Sequence, residues 1–144
     1  AIYFMMNESD IERIMTSNNA MIGSDGLPED SHPHPRLWGT FPRVLGHYAR
    51  DRRVMPMHDA VNRMTGLPAE NFRLAGRGML KPGFFADVTI FNHDTIIDLA
   101  TFERPKQKSL GVEQVIVNGK TAWIDGKCVG AGQGKVLKRR DDET

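Results

Sequence analysis

The stretch Ala20-Met21-Ile22-Gly23-Ser24-Asp25-Gly26-Leu27-Pro28 decides how this chain is read. Three apolar residues run into a glycine, a small polar residue, a carboxylate and a second glycine. A short apolar run bounded by turn residues reads as a buried strand, and Asp25 stands just past its C-terminal end. In α/β barrels and open α/β sheets, the loops leaving the strand C-termini converge on a common pocket. The small neighbours would let a metal, a water or a substrate approach closely. Asp-Gly is also ordinary turn chemistry, with the side chain bonded to its own backbone. On pattern alone, both readings of Asp25 stay open.

Upstream, Ile2-Tyr3-Phe4 reads as another short strand, one that starts abruptly. Between the two runs, Asn7 or Ser9 can cap a short helix whose apolar stripe is Ile11, Ile14 and Met15. Strand, helix, strand is the rhythm of an α/β unit with parallel strands. The chain opens AIYFMMNESD, without an initiator Met or a charged-then-apolar leader. The expectation is therefore the back part of a longer protein, with no secretory signal and a cytoplasmic location.

Downstream, Pro28, Pro33 and Pro35 make a long extended loop, because proline fixes φ and removes a backbone donor. Its His32-Pro33-His34 tempts a metal reading. That spacing serves a metal best on a strand, where alternate side chains share a face. No second ligand spacing stands nearby, so loop histidines that at most support a site are the favoured reading. Arg36 follows this stiff segment, and a guanidinium fork suits a carboxylate. A substrate carboxylate and a surface ion pair are equal candidates for its partner. Thr40 to about Arg52 is expected as a helix, with Thr40 as cap and Pro42 in the first turn. Met57 to about Thr65 is a second, stopped by Gly66, and Pro68 to Leu74 a shorter third. Leu37, Trp38, Phe41 and Tyr48 are read as packing residues, and His47 and His58 as surface or capping residues.

The punctuation changes at Gly76, Gly78, Pro82 and Gly83. Phe84 to Phe91 and Val112 to Val117 then read as strands. Asn118-Gly119 and Asp125-Gly126 are hairpin signals, returning the chain as Thr121–Ile124 and Lys127–Val129. Two units are expected, residues 1–76 α/β and residues 77–144 β-rich with a charged tail. Cys128 is read as a small buried hydrophobe.

The 144 residues carry 19 Lys+Arg against 18 Asp+Glu, a net charge of +1. That balance argues against a dedicated nucleic-acid binder, which needs a basic patch to displace counterions. With 40% hydrophobic and 26% charged residues, the composition is that of an ordinary folded chain. No apolar run approaches the roughly 20 residues of a membrane helix. One cysteine excludes an intramolecular disulfide and a Cys-only zinc site.

The block from Met21 to Pro28, continued by His34-Pro35-Arg36-Leu37-Trp38-Gly39-Thr40-Phe41-Pro42-Arg43-Val44-Leu45-Gly46-His47-Tyr48, resembles the N-acyl-D-amino-acid deacylases, or D-aminoacylases, of the amidohydrolase superfamily. Lys81 to Phe91 resembles the strand that opens the small β-domain of many amidohydrolases, and Val115-Ile116-Val117-Asn118-Gly119 its later hairpin. The resemblance implies the last strand–helix units of a metal-dependent (β/α)8 barrel, followed by part of a small β-sandwich. It implies a zinc-dependent hydrolase with one or two ions, cleaving N-acyl-D-amino acids to a carboxylate and a D-amino acid. Asp25 matches the aspartate that deprotonates the attacking water and touches the weaker metal position. Arg36 matches an arginine on the substrate side of the pocket, and Tyr3 and Met6 would reach that pocket from the preceding strand. The His-x-His pair and the Cys and His ligands of the family have no counterpart in these residues. The chain alone is therefore expected to be inactive, and to associate with the remainder of the enzyme or with itself. Two other readings stay open: a dihydroorotase- or hydantoinase-like enzyme, and a non-catalytic structural or partner subunit.

Overall fold

In the computed structural model, which describes residues 6–137, the helices come first and the strands after them. Helix α1 is Glu8–Met15, and the Asn7 side chain caps it by accepting from the Ser9 N–H at 3.0 Å. Its stripe is narrower than expected. Met15 is buried and Ile11 packs on the core, but Ile14 is 55% exposed.

Ala20 to Leu27 is irregular and pairs with no strand among the described residues, against the expectation for Ala20-Met21-Ile22. A strand needs a neighbour to complete its ladder, and none lies alongside among the described residues. The segment is held instead from α3, the helix Met57–Met64. The Arg63 carbonyl accepts from Ile22 N–H at 3.0 Å, and the Arg63 guanidinium donates to the Ser17 and Ala20 carbonyls. The expected strand Ile2-Tyr3-Phe4 lies outside the described residues.

Helix α2, Arg36–Arg43, begins four residues before the expected cap. Thr40 lies inside it and returns its hydroxyl to the Arg36 carbonyl at 2.8 Å. Pro42 therefore falls in the last turn, where it has no N–H for the Trp38 carbonyl and its ring crowds that carbonyl. Ser109 Oγ donates to the Trp38 carbonyl in its place, at 3.3 Å. Two residues after the proline the helix widens into a π-helix, Val44–Asp51, which closes with Arg52 N–H donating to the His47 carbonyl at 2.8 Å. Helix α4 is Gly66–Asn71, so Gly66 opens a helix rather than only ending one.

The strands are β1 Val88–Phe91, β2 Val112–Val117, β3 Lys120–Ile124 and β4 Lys127–Cys128, in one antiparallel sheet ordered β1-β2-β3-β4. β2 has the expected bounds. β1 is shorter than expected, because Phe84 and Phe85 are tied back into turns on Lys81 and Gly76. Asn118 (φ 50) and Gly119 (φ 80) both lie in the left-handed region that a two-residue hairpin requires. Cys128 is exposed at the end of a two-residue edge strand, not buried as expected.

The core is centred on the π-helix: Val44, Leu45, Tyr48 and Ala49 pack with Met15, Met55, Ala60 and Ile96. Ile96, only 1% exposed, joins the later part of the chain to this core. Two glycines admit it. A Cβ on Gly46 would lie 2.1 Å from the Ile96 carbonyl oxygen, and one on Gly111 would lie 2.5 Å from its nitrogen. Arg50 fastens the joint, donating to the carbonyls of His93, Asp94 and Ile96 at 3.2, 3.1 and 2.8 Å. A second link ties the hairpin to the segment before β1. Asp87 pairs with Arg77 and accepts from Asn118 N–H at 2.8 Å, while Arg77 donates to the Asn118 side chain at 2.8 Å.

Candidate active site

Asp25 sits at φ 47, in the left-handed region that Asp tolerates better than most side chains. Gly26 after it packs on α2: a Cβ there would stand 2.6 Å from Leu37 Cδ1 and 2.9 Å from Leu37 Cα. The glycine thus serves a helix–loop contact, and that contact brings Asp25 beside the first residue of α2. Arg36 reaches back to it twice. Its Nε donates to the Asp25 carbonyl at 2.8 Å, and its Nη2 meets Asp25 Oδ2 at 2.7 Å.

The structure therefore brings together two of the four candidate residues, Asp25 and Arg36. The Asp25 side chain is 78% exposed and that of Arg36 40%. Sequence reasoning expects Asp25 to face a cavity with Arg36 on its rim. Recesses of about 580, 400 and 520 Å³ are present, and neither residue lines them. A pair this open to water adds little to stability, so its geometry matters more than its energy. Met6 is 60% exposed and lines the recess beside α1 with Asp10, Arg13, Ile14 and Ser17, a recess that neither Asp25 nor Arg36 lines. Tyr3 lies outside the described residues.

The two loop histidines make no metal pair. His32 Nε2 meets the Phe102 carbonyl at 2.8 Å, and the His34 ring stands edge-on to the Phe102 ring at 5.1 Å. His34 Nδ1 accepts from the Arg36 backbone N–H at 3.1 Å. Burial lowers the His34 pKa, and the Arg36 charge adds to this, while the Asp25 charge opposes it. His47 lies edge-on to Tyr48, and His58 is on the surface, as expected. Among the described residues no three His, Cys, Asp or Glu side chains converge to hold a metal ion. The residues present therefore do not fit a zinc ion: Asp25 is one donor, where a protein zinc site takes three or four.

Residues 7–122 match the model of the amidohydrolase family. The chain belongs to the amidohydrolase family. Over 139 residues it is 55% identical to a D-aminoacylase of Alcaligenes xylosoxydans xylosoxydans, a match covering 96% of this chain and 29% of that protein. A solved D-aminoacylase with a binuclear metal centre superposes with a TM-score of 0.93 at 52% identity, over 95% of this chain and 29% of that one. An N-acyl-D-glutamate deacylase of Bordetella bronchiseptica, solved with zinc and a phosphonate inhibitor, gives a TM-score of 0.84 at 49% identity. It covers 87% of this chain and 26% of that one. This amidohydrolase chain thus spans less than a third of the proteins it matches. Two features that hold the family block in place escaped sequence reasoning. One is the Nδ1 acceptor on His34, and the other is Phe102, about 70 residues away, against which both histidines close.

Proposed function

We propose that the protein carrying this chain is a zinc-dependent deacylase that cleaves the amide bond of N-acyl-D-amino acids. Water adds its oxygen to the acyl carbon, the C–N bond breaks, and a carboxylate and a free D-amino acid leave. In this reading residues 1–76 are the last strand–helix units of a (β/α)8 barrel and residues 77–144 part of a small β-sandwich. Asp25 touches the weaker metal position in this reading, and the remaining zinc donors come from parts of the protein other than residues 6–137.

The observation that carries the reading is the Asp25–Arg36 clasp, set in a block that resembles the deacylases, within a chain 55% identical to a D-aminoacylase. Asp25 takes a proton from the attacking water and hands it to the departing nitrogen, a general base that becomes a general acid. Arg36 spends one N–H on the Asp25 carbonyl and one on its carboxylate. A guanidinium has five N–H groups, so three remain for a substrate carboxylate. One side chain can thereby orient the base and the substrate together. Tyr3 and Met6 complete the substrate side in this reading.

The test is the full-length, zinc-loaded protein assayed on N-acetyl-D-amino acids, their L enantiomers, a hydantoin and dihydroorotate. Release of free D-amino acid with the other substrates inert supports the reading. Turnover of the cyclic amides alone would replace it with the dihydroorotase- or hydantoinase-like one.

A further inference from the structure

We infer that His34 is a positioning residue, which holds the first turn of α2 so that Arg36 reaches back to Asp25. The inference rests on the proposed function for its kinetic consequence, but its geometry stands independently. The N-terminus of α2 lacks the usual side-chain cap: the residue at that place is Pro35, which makes no capping hydrogen bond. The first free amide of the helix, that of Arg36, is satisfied by His34 Nδ1 at 3.1 Å.

The ring that supplies this acceptor is fixed from several sides. Pro33 before it is fully buried, and Pro35 after it restricts the His34 backbone toward few conformations. Its ring lies edge-on to Phe102 at 5.1 Å and an interplanar angle of 88°. The His34 carbonyl accepts from Leu37 N–H at 3.1 Å, closing the turn from the backbone side. His32 holds the same Phe102 by its carbonyl, at 2.8 Å. The pair that looks like a metal motif is thus a clamp on a residue from the later part of the chain.

The chemistry fixes the ring states. A carbonyl can only accept, so His32 Nε2 carries a proton. An N–H can only donate, so His34 Nδ1 is bare and, in the neutral ring, Nε2 carries the proton. Burial and the neighbouring Arg36 charge both favour that neutral form over the opposing pull of Asp25. With the acceptor lost, the Arg36 amide is left without a partner at the point where α2 begins. The Arg36 side chain then loses its fixed origin, and with it the two bonds to Asp25.

The experiment compares full-length, zinc-loaded wild type with His34→Leu and His34→Asn. Leucine keeps apolar bulk against Phe102 without an acceptor. Asparagine drops the ring but offers an oxygen near the position of Nδ1. On an N-acetyl-D-amino acid, His34→Leu should lower kcat/KM by about tenfold, the scale of one lost hydrogen bond. His34→Asn should recover to within about threefold of wild type, and zinc content should be equal in all three. A crystal structure of each gives the readout that does not depend on activity. Arg36 should remain on the Asp25 carbonyl in wild type and His34→Asn, and leave it in His34→Leu. His34→Leu with wild-type kinetics and an intact Arg36–Asp25 clasp would overturn the inference, as would loss of zinc in either variant. A wild type inactive on N-acyl-D-amino acids would remove the functional reading, while the crystal structures would still decide the role of His34.

Discussion

Gly46→Ala tests the joint through which the strand-bearing part of the chain meets the helical part. The new Cβ would stand 2.1 Å from the Ile96 carbonyl oxygen and 2.9 Å from Ile97 Cδ1, where real Cβ atoms stay beyond 3.0 Å. The π-helix and the Ile96 peptide must therefore part by about 0.9 Å. Overpacking of this kind costs about 1–3 kcal/mol. The same movement strains the 2.8 Å bond from Arg50 to the Ile96 carbonyl, a charge-assisted bond of the kind worth about 1.5–3 kcal/mol. Alanine returns at most about 1 kcal/mol through helix propensity. The net is a loss of about 2–4 kcal/mol, which lowers the unfolding midpoint of a protein about three times the length of this chain by about 2–4 °C. The assay is differential scanning calorimetry on the full-length protein, with Gly23→Ala as the control. Nothing lies within 4 Å of a Cβ at Gly23, so that variant should stay within about 0.5 kcal/mol of wild type. Equal midpoints for Gly46→Ala and Gly23→Ala would refute the close seating of Ile96 on the π-helix.

Arg77→Met should destabilise by about 1–3 kcal/mol, because Asp87 and the Asn118 side chain each lose a partner. Amide hydrogen exchange should rise in the β2–β3 hairpin, and unchanged exchange there would count against the link. Residues 1–144 expressed alone should bind less than stoichiometric zinc after dialysis, since no three donors converge among the described residues. They should also sediment as a self-associated species, and a compact monomer with one tightly held zinc would contradict both expectations.

The parts of the fold legible in the sequence are those decided locally. Asn118-Gly119 and Asp125-Gly126 announce their turns because few other pairs sit at positive φ twice in succession. Asn7 announces α1 because its side chain caps a neighbour two residues on. The misread parts are decided at a distance. Thr40 and Pro42 look like a helix start, yet α2 begins at Arg36 because His34 Nδ1 supplies the first acceptor. Pro42 is then tolerated in the helix because Ser109, far along the chain, serves the Trp38 carbonyl it abandons. Ala20-Met21-Ile22 has the composition of a strand, but composition does not provide a neighbour to pair with. Cys128 has the character of a core residue, but β4 is a two-residue edge.

The candidate site divides in the same way. Asp25 and Arg36 could be singled out by residue type and by their place around a stiff loop, and the structure joins them. For Arg36 the sequence leaves a substrate carboxylate and a surface ion pair equally open; that its ion pair is with Asp25 follows from the packing of Gly26 on Leu37, which no local pattern announces. Phe102 carries no local mark, since its importance comes from two histidines about 70 residues earlier.

The most direct test of the account is the turnover of Asp25→Asn in the full-length, zinc-loaded protein. Asparagine keeps the size of the side chain and an oxygen for Arg36, but removes the base. On an N-acetyl-D-amino acid, kcat should fall by about 10²- to 10⁴-fold while KM changes far less. An Asp25→Asn enzyme that releases D-amino acid at close to the wild-type rate would contradict the assignment of Asp25 as the group that moves the proton.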